Sequence, residues 1–137
     1  MGIPKVNLNF NSMESISPNI FVKDMNQTIE FYKILGFELL MTVPETGNFD
    51  WVMMKNGNVN FMFQTFSSIG DTLPDISRNN GGSLLLYIQL KNIRTFFENI
   101  KDKVTIISGL EKAFYGATEF SVKDNNGYIL TFAEDEK

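Results

Sequence analysis

The sequence predicts an α+β fold: two βαβββ units in tandem, giving a mixed eight-stranded sheet with both helices on its outer face. Three observations predict it. A short motif recurs at half the chain's length, Val22-Lys-Asp-Met25 and then Leu90-Lys-Asn-Ile93, an offset of 68 residues (92 − 24). Each copy opens an amphipathic helical pattern. Each helix is then followed by three short runs rich in β-branched and aromatic residues, the last two joined by an Asn/Gly turn.

The first unit, about residues 15–66, opens with the apolar run 17–22. Asp24 is the expected N-cap, with Gln27 three residues on in a capping-box arrangement. Met25, Ile29, Tyr32 and Leu35 share one stripe of the helix, and Gly36 stops it. Strands are expected over 37–43, 49–54 and 59–66, with Lys55-Asn-Gly-Asn58 as the hairpin turn. A polar linker, 67–82, contains Pro74 and Gly81-Gly82. The second unit, about 83–134, repeats the plan. Its strand covers 84–90, Asn92 caps, and Ile93, Phe96, Phe97 and Ile100 sit at helical spacing. Strands over 104–107, 118–123 and 128–133 follow, with Asp124-Asn-Asn-Gly127 as the hairpin and Lys101-Asp-Lys103 as a solvated helix end. Residues 1–14 form a polar, Asn-rich extension. Val6, Leu8 and Phe10 alternate there, as in a short edge strand or a frayed tail. Residues 15–134 read as a single domain. The strand order by itself also suits a ferredoxin-like sandwich.

Composition excludes several chemistries. The chain has no histidine and no cysteine, which removes disulfides, thiolate nucleophiles, Cys-ligated zinc and the Ser-His-Asp triad. Net charge is −4 with no dense Lys/Arg cluster, so no nucleic-acid partner is expected. No long apolar run and no signal-like opening are present, so the expectation is a soluble cytoplasmic protein with no membrane partner. Nucleotide-cradling glycine loops are absent as well. Hydrophobic residues make up 43% of the chain and include 13 phenylalanines, ample for a core.

Two stretches carry a family resemblance: Ser17-Pro-Asn-Ile-Phe-Val-Lys-Asp-Met with Ile29-Glu-Phe-Tyr-Lys-Ile-Leu-Gly-Phe37, and Tyr115-Gly-Ala-Thr-Glu-Phe-Ser-Val-Lys-Asp-Asn-Asn-Gly-Tyr-Ile-Leu-Thr-Phe-Ala-Glu134. Together they resemble the vicinal oxygen chelate superfamily of glyoxalases, bleomycin-resistance proteins and extradiol dioxygenases, nearest to its metal-free, bleomycin-resistance-like branch. The resemblance implies that the sheet curls into a half-barrel enclosing a cavity. It also implies that the family's metal ligands fall at Ser17, Leu85, Thr131 and one of Asn60, Met62 or Gln64. A serine, a leucine, a threonine and a neutral residue make a poor transition-metal site. No EF-hand-like loop offers an alternative. Neither metal nor cofactor is therefore expected.

Alternation along the strands places Ser17, Asn19, Phe21, Asn60, Met62, Gln64, Leu85, Tyr87, Gln89, Ile129 and Thr131 on the inner face, with Trp51 and Met53 joining from a neighbouring strand. Leu85 and Ile129 read as filler. The remainder, an aromatic and methionine-rich wall with scattered amides and hydroxyls, suits a small organic ligand. Gly116 allows close packing, and Tyr115 is expected at the pocket mouth. Glu119 and Tyr87 are the catalytic candidates, as groups that move protons in place of histidine. The alternative for Glu119 is a surface or dimer-contact charge on an edge-like strand, and for Trp51 a core or dimer contact. Three functions compete: a metal-free binder of a drug or aromatic metabolite with its pocket closed by a homodimer, a metal-independent lyase or isomerase, and an interaction protein with a filled pocket.

Overall fold

The computed structural model describes residues 11–79 and 81–136. In chain order these form β1 (Asn19–Val22), α1 (Met25–Ile34), β2 (Glu38–Val43), β3 (Trp51–Asn56), β4 (Val59–Thr65), α2 (Phe66–Ile69), β5 (Leu85–Gln89), α3 (Ile93–Ile100), β6 (Thr105–Lys112), β7 (Ala117–Lys123) and β8 (Ile129–Asp135). The repeated βαβββ plan and the α+β class are those of the sequence. The eight strands pair as two four-stranded sheets of the same order, β1-β4-β3-β2 and β5-β8-β7-β6, so the described residues do not form one continuous sheet. In each, the first strand is parallel to the last and the remaining pairs are antiparallel. The alternating strand at Val6, Leu8 and Phe10 lies outside the described residues.

Helix α1 follows its sequence signals closely. The Gln27 amide donates to Asp24 Oδ1 at 3.0 Å, completing the N-cap. At the other end Gly36, at φ +92, lets the amides of Gly36 and Phe37 donate to the carbonyls of Lys33 and Tyr32, both at 2.9 Å. This is a Schellman closure, and Phe37 packs edge-on against Tyr32 at 5.5 Å, the apolar contact that accompanies it.

Helix α3 departs from expectation. Asn92 sits in the left-handed region at φ 61 and its side chain makes no cap bond. The Ile93 amide instead donates to Glu134 Oε1 at 3.0 Å. A carboxylate from β8 thus meets the positive end of the helix, while Asn92 supplies the tight turn that asparagine tolerates. Two other boundaries move. Thr65 caps the Ser68 amide and starts α2, whose Ile69 is buried, inside the expected linker. Strand β6 runs to Lys112, five residues past expectation, because register shifts after Ile106 and Ser108 absorb the break in alternation.

One phase of each strand packs beneath the helices. Ile20, Val22, Val52, Met54, Phe61 and Phe63 are buried in the first sheet, and Phe120, Val122, Leu130 and Phe132 in the second. These residues, with Tyr32, Leu35 and Ile93, make one continuous core across both halves. Polar contacts fix the halves together. The Tyr32 hydroxyl donates to Asp124 Oδ2 at 2.7 Å, the amides of Asn126 and Tyr128 donate to Asp124 Oδ1 at 2.8 and 2.9 Å, and Asn126 Nδ2 donates to Thr28 Oγ1 at 3.0 Å. The Tyr128 hydroxyl donates to the Phe21 carbonyl at 3.0 Å. The linker presses on the same hairpin: a Cβ at Gly81 would lie 2.7 Å from the Gly127 carbonyl oxygen.

Burial raises the Asp124 carboxyl above its ordinary range, partly offset by the hydroxyl and amides that donate to it. An acid with a raised folded-state pKa stabilises the fold most where it is protonated, and that contribution is lost as pH rises through the folded pKa. The stability difference between wild type and Asp124→Asn should therefore shift against wild type as pH rises from about 3 towards neutrality, as read by urea unfolding at a series of pH values. Tyr32→Phe should cost about 1–3 kcal/mol at neutral pH, because it strands a buried carboxylate oxygen.

Candidate functional site

The strand phase opposite the core forms two open faces. Across the first sheet, the register aligns Asn19, Met62, Met53 and Met41 in one row, and Phe21, Gln64, Trp51 and Val43 in the next. Across the second it aligns Tyr87, Thr131, Ser121 and Ser108, then Gln89, Ala133, Glu119 and Glu111. The site residues expected from sequence thus divide between two walls. Ser17 precedes β1 and is exposed.

Register also settles an internal equivalence. Met62 lies opposite Asn19 in the parallel pair β1/β4 as Thr131 lies opposite Tyr87 in β5/β8. Asn19 and Tyr87 stand 68 residues apart (87 − 19), the offset of the duplicated motif. Of Asn60, Met62 and Gln64, it is Met62 that matches Thr131. The positions at which the family resemblance would place metal ligands are then Ser17, Met62, Leu85 and Thr131, which offer two hydroxyls, a thioether and a hydrocarbon. The residues present do not fit a divalent transition metal.

The polar groups on each wall are tied to one another. On the first, Asn19 Nδ2 donates to Gln64 Oε1 at 2.9 Å, and Gln64 Nε2 donates to Ser68 Oγ at 3.2 Å. Asn60 Oδ1 is the exception, buried without a hydrogen-bond partner among the described residues, and a buried acceptor of that kind costs free energy unless something donates to it. Phe21 stacks on Phe66 of α2, centroids 6.3 Å apart. On the second wall, Thr131 and Ser121 share a hydrogen bond of 2.8 Å. The Tyr87 hydroxyl donates to Glu119 Oε2 at 2.6 Å, and the Tyr115 hydroxyl donates to the same oxygen.

The three residues singled out in the second half therefore meet. Tyr87 reaches from β5 across β8, where the residue opposite Glu119 is Ala133, too small to stand between them. Tyr115 folds back from the β6–β7 turn. Glu119 lies on β7, an internal strand flanked by β8 and β6, which corrects the edge-like placement. Both phenols have their pKa raised, chiefly by the hydrogen bond to Glu119, so both hold their protons and act as donors at neutral pH.

The faces are neither filled nor enclosed. Leu85, Tyr87 and Tyr115 are 52, 48 and 57% exposed, and Met41 and Val43 are 55 and 51% exposed. Clefts lie elsewhere, such as one of about 250 Å³ at the seam between the halves, bounded by Leu35, Phe37, Val59, Ile88, Phe96 and Phe132. The described residues of one chain do not by themselves enclose the half-barrel cavity that the resemblance implies: they present two separate walls. Leu85, expected as filler, is half exposed. Ser68, Ser121 and Met41 were missed, Ser68 because it sits in the unexpected α2. Met41 and Ser121 were open to simple alternation.

Comparisons with known proteins agree with this architecture. A protein of unknown function from Agrobacterium tumefaciens is similar at 26% identity and TM-score 0.74, over 95% of this chain and all (100%) of that one. A glyoxalase/bleomycin resistance protein/dioxygenase from Nocardioides shares the fold at 16% identity and TM-score 0.76, over 95% and 89% of the two chains. So does a bleomycin-binding protein solved in complex with bleomycin, at 19% identity and TM-score 0.63, over 90% and 100%. No curated protein sequence matches. The family model of the Glyoxalase/Bleomycin resistance protein/Dioxygenase superfamily matches residues 12–132, and the chain belongs to that superfamily.

Proposed function

We propose that this chain is a metal-independent, cytoplasmic small-molecule binding protein, one domain over residues 15–134, which sequesters a drug or aromatic metabolite between two copies of itself. The observation that carries the reading is the pair of open walls. Each combines aromatic or thioether surface, at Phe21, Trp51, Met53 and Met62 or at Tyr87 and Tyr115, with polar groups pre-set by hydrogen bonds. A small-molecule site buries most of its ligand, which one open wall cannot do. Among the described residues the first strand of each sheet, β1 and β5, is paired on one side only. A second copy that brought its β5 edge beside β1 would close two pockets at once and cover the exposed Leu85 and Met41. The fold shared with a protein that binds bleomycin is compatible with this reading.

A second reading rests on the Tyr87–Glu119 contact. A carboxylate held by a protonated phenol can remove a proton from a small carbonyl substrate while the phenol donates to the developing oxyanion. Turnover that survives chelators and is lost in Glu119→Gln would promote it.

Light scattering should show a particle of two 15.6 kDa chains at micromolar concentration; a monomer alone removes the closed pocket. In a thermal-shift screen of aromatic and heterocyclic compounds, a ligand at about 100 times its Kd should add roughly 2.7 kcal/mol of stability, with or without divalent metal. Gln64→Leu breaks the Asn19–Ser68 bridge and Tyr87→Ala strips the second wall, so each should weaken a hit about tenfold or more without unfolding the protein. Unchanged affinity in both places the site elsewhere.

A further inference from the structure

The second wall carries a cluster that specifies a kind of ligand. Glu119 Oε2 accepts from both Tyr87 and Tyr115, which leaves Oε1 with no hydrogen-bond partner among the described residues. The two phenol rings are held by those bonds and remain about half exposed. Phe114, fully exposed, packs edge-on against Tyr115 at 5.0 Å. Glu111 stands opposite Glu119 in the ladder and adds a second carboxylate. Among the described residues no lysine or arginine bonds to either acid: Lys112 donates to the Glu136 carbonyl, and Arg94 pairs with the Glu136 carboxylate. The whole chain is acidic as well, at −4.

Uncompensated carboxylate between aromatic faces is the chemistry that attracts an organic cation, through the charge and through the negative faces of the rings. A neutral or anionic ligand gains nothing from it. We propose that Tyr87, Tyr115 and Glu119 form a recognition box for the substituted-ammonium group of an organic cation, whose apolar remainder lies against the Met and Trp wall. The inference rests on the binding reading above and narrows it to one ligand class. The phenols donate to one carboxylate oxygen and so orient the other towards the ligand, while their rings stay free to contact alkylated nitrogen.

The test uses choline and its neutral isostere 3,3-dimethylbutan-1-ol, titrated into the full-length protein and followed by the ring resonances of the four tyrosines. Choline should move the Tyr87 and Tyr115 resonances saturably, with affinity falling as salt rises. The alcohol should bind about tenfold more weakly or worse. Glu119→Gln keeps an oxygen for the phenols and loses the charge, so it should abolish the preference for choline while leaving the alcohol unaffected. If that variant misfolds, Tyr87→Leu with Tyr115→Leu serves instead and should weaken choline more than the alcohol, removing the preference. Equal binding of the two probes, or choline binding that survives these substitutions, overturns the proposal. So does the absence of any shift while neutral compounds stabilise the protein in the screen, and in that case the binding reading stands. No hit of any charge in the screen ends both.

Discussion

The buried carboxylate of Asp124 is the constraint from which the arrangement of the two halves follows. It closes its own hairpin by accepting from the amides of Asn126 and Tyr128, and it accepts the Tyr32 hydroxyl from the other half of the chain. With Asn126 bonded to Thr28 and Tyr128 to the Phe21 carbonyl, the hairpin between β7 and β8 is seated against α1 and β1. A hydrophobic seam would tolerate sliding. A carboxylate with three donors at fixed angles does not, since every displacement strands a buried polar group.

Seating the halves in this way commits both helices and the apolar strand phase to the interior and leaves the other phase uncovered. The two uncovered faces have diverged although their backbones repeat. The first is apolar and amide-lined, with Met41, Met53, Met62 and Trp51 around the Asn19–Gln64 pair. The second is phenolic, hydroxylic and acidic, with Tyr87, Thr131, Ser121 and Glu119. Equivalent positions carry unlike chemistry: Asn19 matches Tyr87, and Met62 matches Thr131. Two unlike walls suit an unsymmetrical ligand better than two identical ones, because each end of the ligand then has only one favourable place.

Much of this was legible in the sequence. The motif Val22-Lys-Asp-Met25 and its echo at Leu90 fixed the repeat, and period-two alternation separated core from open face at nearly every strand residue. Asp24 and Gly36 marked α1 because their signals are local and complete within one turn. Asn92 misled because the cap of α3 comes from Glu134, 42 residues on (134 − 92), and no local pattern reports a partner that distant. The pairing of the strands into two sheets was hidden for a similar reason, since alternation gives each strand's faces and says nothing of its neighbours. The meeting of Tyr87, Tyr115 and Glu119 needed the register of three strands, although each residue had already stood out alone.

The chain has no histidine, so the four positions at which the family resemblance would place metal ligands hold other side chains. Ser17 and Leu85 are exposed, Met62 is partly buried, and Thr131 is buried with its hydroxyl bonded to Ser121. The packed phase, from Val22 and Phe63 to Phe120 and Leu130, includes none of the four. Substitution on an open face costs stability only tenths of a kcal/mol as a rule, against several in a core. Such a face can change its side chains without disturbing what holds the sheets together. Most of the packing lies on one phase of these strands and most of the open surface on the other, so side chains on the open phase can change while the core is kept.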